Sequence, residues 1–258
     1  MSEPIRLERD GAVAALVLDN PPLNLFGRGS FEALTARIAE VEASDARAMV
    51  WRAEGNVFSG GVDVQVFKDT PAGHAGELFG ALVATVRRLE SLPIPTLALI
   101  DNLCLTAALE VALGCDLIWA GQSARFGLVE AVVGLTPGAG GTQRIAERAG
   151  PARAREFVMT GGLYDAVTME RWQVVNRVLP DAELHEEGMA FAHRLAAGPT
   201  LAHAATKRVV RAWREGGIDR ADRETPKAAG GLFATEDLQK AVESFLRDGP
   251  GKATFQGR

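Results

Sequence analysis

Apolar residues recur along this chain at two spacings. Ile5–Arg9 and Val13–Leu18 are strand-like runs joined by Asp10-Gly11, a pair that favours a tight hairpin turn. Asn20-Pro21-Pro22 ends the second run, because proline cannot donate to a strand ladder. Phe31, Leu34, Ile38 and Val41 then recur every three or four residues, which predicts an amphipathic helix capped by Ser30. Ala48–Trp51 reads as a buried strand. Leu78, Leu82, Val86 and Leu89 predict a second helix over Glu77–Glu90, and Pro93 and Pro95 precede a strand at Thr96–Ile100. Thr106 is placed to cap a short helix ending at Leu113, and Cys115–Trp119 is again strand-like. Strands alternating with helices in this way predict an α/β layered domain. After Gly150 the composition shifts to Ala, Arg and Glu, and Ala152–Met159, Leu184–Ala197, Leu201–Arg214 and Asp237–Leu246 read as helices. There is no internal repeat, low-complexity tract or clear linker.

With 258 residues, the chain suits one large domain or one domain with an appendage, and it can bury enough surface to need no staples. A composition that is 47% hydrophobic and 24% charged is ordinary for a soluble globular protein. The net charge of −5 argues against nucleic-acid or anionic-membrane binding. No run approaches the apolar length of a membrane span, and the opening segment MSEPIRLERD is not a secretory signal. Cys104 and Cys115 stand in no metal or redox spacing, so a reduced, cytoplasmic setting is expected. His185 and His193 share a helix without any ligand pattern and read as surface residues, with no metal site. Lys207, Arg208, Arg211 and Arg214 read as a solvated basic helix face.

Chemistry concentrates between Asp101 and Arg144. Glu110 lies within TAALEVAL and Glu130 within GLVEAVVG, both among apolar neighbours. A carboxylate in such surroundings is costly to bury unless it is paired, hydrogen-bonded or protonated, and two of them flanking a glycine-rich segment suggest acid/base chemistry. The alternative is that both are surface residues beside a buried face. Gly60-Gly61 permits close approach of a ligand to the backbone. The run Pro137-Gly138-Ala139-Gly140-Gly141-Thr142 has neither a dinucleotide spacing nor the lysine of a phosphate loop, and reads as a structural turn shaping a pocket floor.

Three segments carry a resemblance: FSGGVD at Phe58–Asp63, ALEVALGCDLIWA at Ala108–Ala120 and ARFGLVEAVVGLTPGAGGTQR at Ala124–Arg144. They resemble the enoyl-CoA hydratase/isomerase family, the crotonase superfamily, and the match runs from the first hairpin to the closing KATFQGR. The resemblance implies a crotonase-like spiral of ββα units: a catalytic core over residues 1–198 and a helical trimerisation region over 199–258. It implies an acyl-CoA thioester as substrate, no cofactor beyond the coenzyme A of the substrate, and a homotrimer or dimer of trimers. It places Glu110 and Glu130 as the catalytic pair and the backbone N–H groups of Val62 and Ala107 as the oxyanion hole. Asn24, Phe26, Gly60, Gly61, Asp63, Gly134, Pro137 and Lys252 fall at its substrate-binding positions.

The implied reaction is reversible syn hydration of a trans-2-enoyl-CoA to a 3-hydroxyacyl-CoA. Two alternatives stay open: a double-bond isomerase or other family reaction, and a non-catalytic acyl-CoA-binding scaffold. The chain departs from the family at Asn102, Thr106, Ala107 and Ala108, where glycines are usual. Their added Cβ atoms are expected to narrow the acyl pocket or shift the backbone N–H.

Overall fold

The computed structural model describes residues 3–258. The hairpin forms as the turn chemistry requires: β1 (Ile5–Asp10) and β2 (Val13–Leu18) pair antiparallel, Ile5 opposite Leu18, and Gly11 takes a φ of +56° at the turn. From β2 onward every pairing in the larger sheet is parallel. Strands β3 (Ala48–Ala53), β4 (Thr96–Ile100), β6 (Leu117–Gly121) and β9 (Arg177–Leu179) follow in the order β1-β2-β3-β4-β6-β9. Every residue of β2 and β4 is buried, as expected for near-continuous apolar strands covered on both faces. One face packs Leu16, Trp51, Ala98 and Ile100 against helices α1 (Arg28–Ala43), α3 (Ala75–Ser91) and α4 (Thr106–Leu113). The other packs Val17, Val50, Leu99 and Trp119 against α8 (Leu184–Ala196). A one-turn helix α2 (Gln65–Lys68) lies between β3 and α3.

The spiral arises because successive strands alternate between two sheets. After β4 the chain enters a smaller sheet as β5 (Leu103–Leu105) and continues into α4. After β6 it returns there as β7 (Arg125–Gly127) and then continues into α5 (Gly141–Ala149). The third member is β8 (Tyr164–Asp165), which lies between α6 (Pro151–Thr160) and α7 (Ala166–Arg171). Ser59 bridges Cys104 of β5, so the segment after β3 joins the same edge. Catalytic candidates therefore converge where the small-sheet strands end.

Several expectations need correction. Ser30 is not a cap: α1 begins at Arg28 behind Gly27, and the Ser30 hydroxyl donates to Leu25 O inside the protein. The four helices expected beyond Gly150 form, and two unexpected strands, β8 and β9, lie among them. At two and three residues they are too short to leave a period, and β9 completes the large sheet. The helix expected at Leu201–Arg214 continues as α9 (Thr200–Leu232), broken at Gly216-Gly217, where Gly217 reaches φ +69°. Of the basic residues on α9, Arg208 and Arg211 are exposed, while Lys207 and Arg214 reach back to the body of the protein. Lys207 Nζ donates to Ile94 O and Asp116 Oδ2 at 2.9 and 2.7 Å, and Arg214 donates to Glu90, which tie the helix to the core.

The final helix, α10 (Glu236–Asp248), is capped by Thr235, whose hydroxyl accepts from Leu238 N–H. The tail beyond it is fixed rather than loose: Asp237 accepts the N–H groups of Gln256 and Gly257, and Arg47 donates to Phe255 O. No described helix is long and apolar enough to cross a membrane.

Candidate active site

Glu110 sits on a helix whose eight residues are all buried, and it is itself 2% exposed. Its Oε1 accepts hydrogen bonds from the Ala139 and Gly141 N–H groups, both 2.8 Å long. The glycine-rich turn is thus more than a pocket floor: it is the clamp on this carboxylate. A larger residue at Gly141 would crowd the clamp, because a Cβ there would lie 3.0 Å from Glu110 Cγ and 2.9 Å from Leu128 Cδ1. Gly140 holds φ +102°, with Arg144 Nη1 against the place a Cβ would take. Burial pushes the Glu110 carboxyl up from its ordinary value, opposed by the two N–H groups and the Arg144 charge.

Glu130 opens a 3₁₀ turn, Glu130–Val133, after β7. Gly134 ends that turn at φ +75°, and Leu135 N–H returns to Glu130 O at 3.0 Å. Although Glu130 is only 6% exposed, its Oε2 finds no hydrogen-bond partner among the described residues. Burial, and secondarily the Glu110 charge, push its carboxyl up to about 7. The fold therefore brings the two carboxylates together from segments 20 positions apart and gives them different environments: one clamped by backbone donors of the glycine-rich turn, the other with its Oε2 unpartnered and its proton held to near neutrality.

The two backbone donors expected at an oxyanion hole also converge. Phe26 and Val62 form a parallel bridge in which Phe26 N–H donates to Gly61 O and Asp63 N–H to Phe26 O. Leu105 N–H donates to Ser59 O at 3.1 Å, holding this loop against the start of α4. Ala107 is the second residue of α4, so its N–H lies in the first turn, where no intrahelical acceptor exists. Val62 N–H is engaged by a side chain: it donates to Thr106 Oγ1 at 2.9 Å. Thr106 is therefore not the cap of α4. It is the first helical residue, follows an extended Leu105, and turns its hydroxyl to the neighbouring loop.

Other expected positions divide by what their atoms do. Asn24, at φ +51°, has a buried amide occupied within its loop, with Nδ2 donating to Glu54 O and Val57 O and Oδ1 accepting from Asn20 N–H. The Phe26 ring lies in the core against Phe31 and Trp51, so only its backbone faces the loop. Gly60 donates its N–H to Leu23 O; Asp63 accepts Gln65 N–H; Pro137 is buried at the head of the Glu110 clamp. Lys252 is exposed on the closing tail.

The replaced family glycines do not all crowd the pocket. Ala108 is fully buried in the core, while Asn102 occupies φ +47°, a conformation asparagine tolerates. His185 and His193 pair with Asp101 and Asp10, at 3.0 and 2.8 Å, and no cluster of three or more metal-binding side chains occurs among the described residues. Sequence reasoning missed Arg144 and Glu90. Their only signal was an arginine and a glutamate within helical runs, which is too common to single out.

A model of the enoyl-CoA hydratase/isomerase family matches residues 8–257. The short-chain-enoyl-CoA hydratase of Clostridium acetobutylicum is 30% identical over 244 residues, 93% of each chain. The crotonyl-CoA hydratase of Syntrophomonas wolfei is 30% identical over 248 residues, 95% of each chain. The crystal structure of Enoyl-CoA Hydrates Subunit I from Geobacillus kaustophilus HTA426 superposes over 100% of both chains, with a TM-score of 0.92 and 32% identity. With its spiral of alternating sheets and its converging carboxylates, the chain belongs to the enoyl-CoA hydratase/isomerase family.

Proposed function

We propose that this protein is an enoyl-CoA hydratase, adding water reversibly to a trans-2-enoyl-CoA to give the 3-hydroxyacyl-CoA. The observation that carries the reading is the unequal carboxylate pair. Glu130 is buried, with its Oε2 unpartnered, and protonated to about pH 7, while Glu110 is fixed through Oε1 by two backbone donors. Hydration needs both roles at once. Glu110 takes a proton from water as the water oxygen bonds to C3; Glu130 gives its proton to C2. The pair carries one proton before and after, on opposite partners, and the reverse reaction uses it from there. Between the two, negative charge develops on the thioester oxygen, which the donors at the start of α4 and the 60–62 loop stabilise; one such donor is worth about 10²–10³ in rate. The relatives named hydratases support this reading.

The chemistry asks for no metal or redox cofactor. Exposed apolar side chains on α10, Val242, Phe245 and Leu246, support a homotrimer or dimer of trimers assembled through the C-terminal helices. Two free, buried cysteines suit a reducing, cytoplasmic setting. A non-catalytic acyl-CoA binder is favoured only by the Thr106 hydroxyl on Val62 N–H, and retention of both carboxylates opposes it. A panel of trans-2-enoyl-CoAs of increasing chain length, followed by loss of the conjugated absorbance, tests the assignment. Turnover on any member supports it; binding without turnover across the panel overturns it in favour of the binder.

A further inference from the structure

We propose that the Thr106 hydroxyl is itself a catalytic donor: it accepts Val62 N–H and passes the bond on by donating its own proton to the thioester oxygen. This rests on the hydratase reading above. Three observations support it. First, Val62 N–H, the donor expected to meet the substrate directly, already ends on Thr106 Oγ1 at 2.9 Å. A substrate oxygen approaching this side of the hole meets the hydroxyl. Second, the hydroxyl is half used. It has one proton to give and accepts one hydrogen bond, but it donates to no acceptor among the described residues, although Thr106 is 7% exposed. An O–H that is buried and polarised by an incoming N–H bond is a stronger donor than a free one.

Third, the local backbone is arranged around it at a cost. Thr106 holds φ +45°, a conformation that β-branched residues rarely adopt, next to an extended Leu105. Strain of this kind persists where the surroundings over-determine it, and it gathers at functional sites. Those surroundings are specific. Gly61, at φ +100°, leaves the space in which the hydroxyl sits, since a Cβ there would come within 2.5 Å of Thr106 Oγ1. The side chain gives nothing to its own helix, for no side-chain hydrogen bond caps α4. The Thr106 hydroxyl is thus held between the Val62 donor and the first turn of α4, where Ala107 N–H supplies the second bond.

The competing possibility is that the hydroxyl plugs the hole and must leave before substrate binds. Thr106→Val removes the hydroxyl and preserves the shape; Thr106→Ser keeps the hydroxyl without the methyl. In the relay, Thr106→Val lowers kcat about 10²–10³-fold with a much smaller change in KM, the loss typical of one oxyanion donor, and Thr106→Ser recovers most of it. If Thr106→Val does not fold, as judged by circular dichroism, Thr106→Ala carries the same expectation.

A readout independent of turnover is the infrared carbonyl band of bound butyryl-CoA labelled with carbon-13 at the thioester carbon, a saturated ligand that cannot be hydrated. The band moves to lower frequency on binding the parent protein, returns towards the free value in Thr106→Val and stays low in Thr106→Ser. Unchanged or faster turnover in Thr106→Val, or a band indifferent to the hydroxyl, overturns the relay. If instead the parent hydrates no enoyl-CoA yet the band responds to Thr106 as described, the hydratase assignment fails and the donor assignment stands.

Discussion

Arg144 and Glu90 form a two-bond ion pair, Nε to Oε1 and Nη2 to Oε2, each 2.8 Å, with side chains only 6% and 12% exposed. The same guanidinium donates through Nη1 to Gly140 O at 3.0 Å, within the turn whose N–H groups hold Glu110. From the other side, Arg214 of α9 donates to Glu90 Oε1 at 2.8 Å. A continuous set of hydrogen bonds therefore runs from a C-terminal helix through Glu90 and Arg144 to the turn that orients Glu110.

This makes Arg144 a positioning residue. Arg144→Lys keeps the charge but cannot make the planar two-bond contact or reach the turn carbonyl as well. We expect a clear fall in melting temperature and a slower kcat. Because the Arg144 charge partly opposes the burial that raises the Glu110 carboxyl, Arg144→Met should also move the acid limb of the rate profile to higher pH. Breaking the buried pair outright costs about 3–5 kcal/mol, so the methionine variant is best measured at low temperature. An acid limb that stays in place would show that Arg144 is structural only.

Glu130 should destabilise the fold at neutral pH. Its carboxyl is raised from 4.5 to about 7 by burial, so the folded state keeps a proton that the unfolded chain gives up. Stability then falls as pH rises between those two values and levels off above the upper one, a loss of at most roughly 3 kcal/mol. Glu130→Gln removes the loss. Urea unfolding at pH 5 and pH 8 should show the variant gaining on the parent at the higher pH while activity collapses. Parallel pH dependence in the two proteins would refute the assignment.

The carboxylates should behave as one unit. Glu110→Gln and Glu130→Gln should each lower hydration at least about a hundredfold with the fold intact, and the double variant should be little worse than the poorer single one. In the parent, kcat/KM should decline as pH rises through about 7, where Glu130 loses the proton it must deliver. Full double-bond isomerase activity in Glu110→Gln, with no hydration by the parent, would assign the site to the isomerase reaction instead.

Assembly should depend on α10. Phe245 and Leu246 are 59% and 81% exposed, alongside Val242 at 50%. Light scattering at micromolar concentration should show a trimer or hexamer, and Phe245→Glu with Leu246→Glu should shift it towards monomer. Truncation after Gly198 removes Lys207 and Arg214 from their core partners and should cause aggregation. A parent that is only monomeric would overturn the expectation.

What the sequence by itself determined is whatever is encoded locally. The hairpin at Asp10-Gly11, the fully buried strand Thr96–Ile100 and the helix ending at Leu113 were legible because turn chemistry and periodicity act over a few residues. Glu110 and Glu130 stood out because carboxylates among apolar neighbours demand an explanation. The tertiary structure decided how those residues are held. Strand β9 is three residues long and exists only because β6 offers it an edge. The Glu90–Arg144 pair joins positions 54 apart, and the Thr106 hydroxyl reaches Val62 across 44. Contacts at such separations leave no period in the chain. Thr106 looked like a helix cap because threonine favours that place; a left-handed backbone at one residue turned it to a neighbouring loop instead, and only long-range packing could impose that conformation.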